Sequence, residues 1–177
     1  MTVKAIVMIL AVLFLASWAS AAYAAEEVVY DFPLKKSQWE YWEEGGARAK
    51  LKSVDSKFVL NILASPAGAF HHIQLYKLAL KIEEGQKYML RLDATSDKEA
   101  EISCKFHKAS PNWVSYQNPE YVVFDLSPRS NSKTEEFVAE RSTDQARLTC
   151  YFGQNRGETN ITINSLRLLR VNGATKK

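Results

Sequence analysis

Three separate stretches of this chain alternate apolar with polar residues, a period of two that a strand can bury on one side and a helix cannot. Tyr88, Leu90, Leu92 and Ala94 alternate with Met89, Arg91 and Asp93. Ile102, Cys104 and Phe106 alternate with Ser103, Lys105 and His107. Ala146, Leu148, Cys150 and Phe152 alternate with Arg147, Thr149 and Tyr151. Each stretch therefore has a core face and a second face of different use. If all three strands share one sheet, Arg91, Asp93, Lys105, His107, Arg147 and Tyr151 form a polar platform carrying an aromatic ring. Such a platform suits a polar polymer.

The rest of the chain supports an all-β reading. Val28–Phe32, Ala47–Ser53, Phe58–Leu63, Ala69–Leu75, Leu78–Ile82, Tyr121–Leu126, Glu135–Ala139 and Ile161–Val171 also read as strands. Turn chemistry separates them at Gly45-Gly46, Ser65-Pro66, Glu84-Gly85, Ser127-Pro128 and Arg156-Gly157. No 11-residue window beyond the first 24 residues keeps a helical period. Many short strands at this spacing predict an antiparallel two-sheet sandwich or a barrel.

The N-terminus reads as a targeting segment. Lys4 precedes an unbroken apolar run from Ala5 to Ala16, and Ala22-Tyr23-Ala24 is a small-x-small cleavage site. The run is short for a span of about 20 residues, so no stable membrane span is expected after cleavage. Residues 1–24 are thus expected to be a signal peptide, 25–171 one β-sandwich domain, and 172–177 a disordered tail. Export would place the protein outside the cytoplasm, secreted or periplasmic. Lys4 is the one charged residue before Ala25, so the chain's formal charge of +3 falls to +2 on cleavage. That near balance argues against nucleic acid as partner, because phosphate binding needs a concentrated basic face. Arg48, Lys50 and Lys52 alternate on one strand and read as a solvated outer face.

Cys104 and Cys150 both fall on core-facing positions. They are either two buried thiols or a cross-strand disulfide, and their matching parity in an exported chain favours the bridge. No metal site is expected: there is no CxxC, and His71 and His72, read as strand neighbours, point to opposite faces. Glycosidase chemistry needs two carboxyl groups about 5–10 Å apart across a cleft, and Asp93 is the platform's single acid. The segment Lys108–Glu120 combines Trp113 and Tyr116 with prolines and asparagines, as a binding loop would.

Taken in order, several motifs resemble one family. They are Trp42…Gly46-Ala47-x-Ala49, His72-Ile73-Gln74-Leu75 and Leu80-x-Ile82-x-x-Gly85-x-x-Tyr88-x-Leu90-x-Leu92-Asp93-Ala94. Pro111-x-Trp113-x-x-Tyr116, Ala146-Arg147-Leu148-Thr149-x-Tyr151-Phe152-Gly153 and Ile161-x-Ile163-Asn164-x-Leu166 follow. Together they resemble the carbohydrate-binding modules of the family 4, 9 and 22 group, galactose-binding-domain-like β-jelly rolls. The resemblance spans roughly Trp39 to Leu168. It implies a concave sheet face that holds a polysaccharide or oligosaccharide without catalysis. Carried over by position, Gln74, Arg91, Asp93, Lys105, His107, Arg147 and Tyr151 line that face, with Trp113 and Tyr116 at its rim. Trp113, Tyr116 and Tyr151 would stack on sugar rings. No cofactor is expected. Asn164 stands where the family often has an aspartate near a structural calcium, so the resemblance does not carry calcium over. A protein-interaction sandwich and a small glycan hydrolase or lyase are the alternatives.

Overall fold

A computed structural model describes residues 25–66, 70–109, 112–129, 131–155 and 157–172. The expected signal segment and residues 173–177 of the expected tail lie outside the described residues. Among the described residues twelve strands run in chain order: β1 (Ala25–Asp31), β2 (Glu40–Glu43), β3 (Arg48–Val54), β4 (Lys57–Ala64), β5 (Ile73–Ile82) and β6 (Lys87–Ser96), then β7 (Ala100–Lys108), β8 (Gln117–Asn118), β9 (Val122–Leu126), β10 (Asn131–Ala139), β11 (Thr143–Tyr151) and β12 (Thr159–Asn172). Short 3-10 turns precede β2 and β5, at Lys36–Gln38 and Phe70–His72. Residues 26–172 form one unit. Asn172, expected in the tail, is the last residue of β12.

The strands form two antiparallel sheets. The first has the order β3-β4-β12-β6-β10-β8, with β1 also paired to β12, and the second has the order β2-β5-β11-β7-β9. Neighbours within a sheet are mostly distant in sequence, as the expected jelly roll requires. The inner faces meet in one apolar core. Tyr88 and Phe137 of the first sheet stack at 5.5 Å, and Phe137 stacks at 5.0 Å on Phe106 of the second. All three are at most 2% exposed. Full burial of one such ring contributes roughly 1.5–3 kcal/mol.

Cys104 and Cys150 sit directly opposite each other on β7 and β11, and they form the disulfide. Both are buried in the core. The bridge ties β11, the central strand of the second sheet, to its neighbour β7.

Two strands change their buried parity part-way. In β5 the core residues are Ile73 and Leu75, then Leu80 and Ile82. The pairing with β11 shifts by one between Leu148↔Lys77 and Ala146↔Leu80, and Ala79 takes φ +60° there. This is a β-bulge, and it joins what the alternation alone divides into two strands. In β12, Ile161 and Ile163 give way to Leu166 and Leu168 across a similar shift at Asn164.

Candidate binding groove

The registers place the outward residues of the second sheet in rows. Trp42, Gln74, Tyr151 and Ser103 lie side by side across β2, β5, β11 and β7. Glu40, Tyr76, Thr149 and Lys105 form the next row, and Arg147 faces His107 beyond it. A polar outer face is normally wet. Here Lys105, His107, Arg147, Thr149 and Tyr151 are all 8% exposed or less.

Two chain segments roof them. After β7 the chain doubles back: Lys108 N donates to Val114 O, Tyr116 N donates to Phe106 O, and Ser115 bridges His107. Gln117 pins this return, its amide oxygen accepting from Phe106 N at 2.7 Å and its amide nitrogen donating to Pro119 O at 3.1 Å. A cis Asn118-Pro119 bond follows. The return carries Trp113 over the sheet. On the other side, Phe70 is anchored where Gly153 N donates to its carbonyl, and it packs edge-on against Tyr151 at 5.2 Å and Tyr121 at 5.7 Å.

Beneath this roof the polar groups satisfy one another. The Arg147 guanidinium lies 3.5 Å from the centre of the Tyr76 ring and 4.9 Å from that of Trp113. Its Nε donates to Thr149 Oγ1 at 2.9 Å, and an Nη donates to Gln74 Oε1 at 3.3 Å. His107 Nδ1 lies 2.9 Å from the Lys108 carbonyl, which can only accept, so Nδ1 carries the proton. Nε2 then accepts from the Thr149 hydroxyl at 2.8 Å. Burial, reinforced by the Arg147 and Lys105 charges and opposed by that carbonyl, holds His107 down at about 4. It is neutral at pH 7. Burial also draws Arg147 below its usual value, and it pushes the Tyr151 hydroxyl up to about 12 with help from neighbouring Tyr121. Lys105 reaches Glu120 at 2.5 Å and lies 5.0 Å from the Tyr121 ring centre.

Two adjoining cavities, each of about 340 Å³, open above this floor and share Glu44, Gln74 and Trp113 in their walls. The first is lined further by Phe70, His71, Lys105, His107, Tyr121 and Tyr151. The second is lined by Trp42, Tyr76 and Arg147. Together they make a groove across the sheet with tryptophans on its walls. Trp42 is 51% and Trp113 50% exposed.

The structure thus brings together Gln74, Lys105, His107, Trp113, Arg147 and Tyr151. It does not bring Arg91, Asp93 and Tyr116. Arg91 and Asp93 lie on β6, in the other sheet, and their alternation reports a different outer face. There Arg91 pairs with Glu26 at 2.9 Å and Asp93 accepts from Asn164 at 3.2 Å. Tyr116 packs against the core and lines a separate cavity with Leu78 and Ala79. His107 and Tyr151 form the floor rather than reach out. His71 and His72 are in a 3-10 turn, not a strand, and their rings stand 4.7 Å apart, so the opposite-face argument does not apply to them.

Trp42, Glu44, Phe70 and Tyr121 are groove residues that strand reasoning missed. Trp42 sits in Glu40-Tyr41-Trp42-Glu43, a four-residue strand with no period of two. Its sequence signal was its place at the head of the motif that runs on to Gly46 and Ala47.

No protein-family model matches the chain, and no curated protein is recognisably similar to it in sequence. Solved structures resemble it in fold. A CBM4 carbohydrate-binding module has a TM-score of 0.64 at 17% identity, covering 84% of this chain and 96% of that one. The second N-terminal cellulose-binding domain of Cellulomonas fimi β-1,4-glucanase C has a TM-score of 0.62 at 13% identity, covering 89% and 100%. The CBM22-1 xylan-binding domain of Paenibacillus barcinonensis Xyn10C has a TM-score of 0.51 at 7% identity, covering 86% and 100%. At such identities the likeness is one of fold. The chain is a two-sheet antiparallel β-sandwich with the fold of these modules.

Proposed function

We propose that the groove over the second sheet binds a polysaccharide or oligosaccharide chain without cleaving it. The carrying observation is the pair of half-exposed tryptophans, Trp42 and Trp113, flanking a floor of buried polar groups. Aromatic faces take the C–H faces of sugar rings, while Gln74, Arg147 and Lys105 are placed to meet hydroxyl or carboxylate groups. Because the floor is already hydrogen-bonded, the polar groups are preorganised and little ordering cost falls on binding. Among the described wall residues Glu44 is the one carboxylate, short of the pair that glycoside hydrolysis uses. The cellulose- and xylan-binding relatives share the fold. The disulfide suits an oxidising compartment, in keeping with a secreted or periplasmic protein.

Affinity electrophoresis through gels containing soluble β-glucan, xylan or an acidic polysaccharide tests this reading. Trp42→Ala and Trp113→Ala are each expected to weaken retardation about tenfold or more. The double change Arg91→Ala with Asp93→Ala, on the other sheet, should leave it unchanged. Migration unaffected by every polysaccharide, or equal losses from both sheets, would overturn it.

A further inference from the structure

At one end of the groove, Glu44, His71 and His72 converge so that one ligand atom from each lies within 4.8 Å of the others. We propose that these three side chains bind a single divalent transition-metal ion, with zinc or copper(II) the best fit. The inference is independent of the carbohydrate reading, since the ion would bind whether or not the groove takes a sugar.

The fold itself brings the residues together. β2 pairs with β5 so that Glu43 lies opposite Ile73, which leaves Glu44 beside His72 where the two strands begin to part. Glu44 N donates to the His72 carbonyl at 3.0 Å and fixes that spacing. The 3-10 turn then sets the His71 and His72 rings at 83° to each other. His71 Nε2 is 3.7 Å from Glu44 Oε1.

His72 is held as a ligand would be. Gly45, at φ +62°, lies against its ring: a Cβ there would fall 2.2 Å from Cε1, 2.5 Å from Nδ1 and 2.7 Å from Nε2. Those three near-equal distances put the glycine over the ring's flat face, not in its plane. The in-plane lone pair of each nitrogen is therefore not what Gly45 blocks, and the ring's tilt is set. His72 Nδ1 is nevertheless buried without a hydrogen-bond partner. Buried polar nitrogens nearly always have one, so this atom needs an explanation.

An ordinary Glu44–His71 ion pair on the surface explains only two of the three groups. It leaves His72 Nδ1 unaccounted for. A metal ion that took His72 through Nδ1 would account for all three. Imidazole nitrogen and carboxylate oxygen bind zinc at about 2.0–2.2 Å, which puts tetrahedral ligands roughly 3.3–3.5 Å apart. Glu44 and His71 are near that spacing already, and both are exposed enough to swing inward. Two nitrogens and one oxygen suit zinc, copper(II) or nickel(II) better than calcium or magnesium, which prefer all-oxygen shells. Three protein ligands leave a further position for water or another oxygen. Glu44 and His71 also line the first cavity, so the ion would stand at its wall.

The test uses untagged full-length protein, stripped with a chelator and titrated with zinc chloride in a calorimeter. One equivalent is expected to bind in the micromolar range or tighter. His71→Ala and Glu44→Gln should each weaken binding by about tenfold or more, because a three-ligand site loses a third of its donors. Both residues are exposed, so the fold should survive, and circular dichroism checks that it does. Copper(II) bound in place of zinc should show nitrogen coupling in its electron paramagnetic resonance spectrum, reduced in His71→Ala. No saturable binding below millimolar zinc, or variants that bind as tightly as the parent, would overturn the proposal. Polysaccharide retardation measured in excess chelator separates this outcome from that of the carbohydrate reading.

Discussion

The two outer faces of this sandwich are written in the same alternating code and do opposite things. On the first sheet, Arg91 meets Glu26 and Thr134, and Arg167 meets Asp31, all on long side chains with substantial exposure. Pairs of that kind are worth little, because water solvates each partner almost as well. On the second sheet, Lys105, His107 and Arg147 occupy equivalent outward positions and are nearly sealed from solvent. Their partners are rings, a threonine hydroxyl, a glutamine amide, the Lys108 carbonyl and, for Lys105, the exposed Glu120 carboxylate. The difference lies in the cover: nothing about β7 or β11 by themselves makes their polar side dry. The returning loop with Trp113 and the turn with Phe70 do that.

This contrast can be broken experimentally. The largest effect should come from the Cys104–Cys150 bridge, which ties β7 to β11 under the groove across 46 residues. Replacing both cysteines with alanine should cost about 4 kcal/mol in the chain-entropy model, read by denaturant unfolding. Polysaccharide retardation should fall with it if the two strands shift. A destabilisation near zero would mean that the sheet holds its register without the bridge.

Acid should act next most strongly, through His107. Its folded value of about 4 is depressed, mainly by burial, from an ordinary 6.5. The unfolded chain therefore takes up this proton first. The contribution is fully present above pH 6.5 and is lost as pH falls towards 4, where the loss has reached about 3 kcal/mol. His107→Gln should flatten that part of the stability profile, and an unchanged slope between pH 6.5 and 4 would show that His107 is not the group responsible.

A matched pair of threonines gives the sharpest comparison. Thr149→Val removes the hydroxyl that joins Arg147 to His107 and should cost about 2 kcal/mol, since it strands two buried polar atoms. Thr134→Val removes an equivalent contact to Arg91 on the exposed face and should cost less than about 0.5 kcal/mol. Equal costs would erase the distinction between the faces. The smallest effect expected is a gain. Ala79→Gly, at the β5 bulge beside Arg147, relieves a left-handed alanine and should stabilise by roughly 0.5 kcal/mol in thermal unfolding.

Much of the fold was legible in the sequence because alternation is a local property. The core residues of β6, β7 and β11, the matching parity of the two cysteines and the all-β class follow from which side chains share a face. The breaks in parity at Ala79 and Asn164 were not legible: the bulge at Ala79 adds one residue and looks like the end of a strand, while Ile161–Val171 reads as one strand straight through Asn164. Six of the nine expected site residues gather in the groove, each from β5, β7, β11 or the loop after β7. Arg91 and Asp93 do not, although their pattern is indistinguishable from that of Lys105 and His107.

Period-two patterning by itself determined which residues of β6, β7 and β11 turn inward, and with them an all-β chain with an apolar centre and two cysteines of matching parity. Which sheet each strand joins was decided only by the tertiary structure, and so was the choice of outer face to be roofed. Strand partners here are mostly remote in sequence, and their selection depends on the whole core closing at once. Trp42, Glu44, Phe70 and Tyr121 become neighbours through that closure, and no local rule places them side by side.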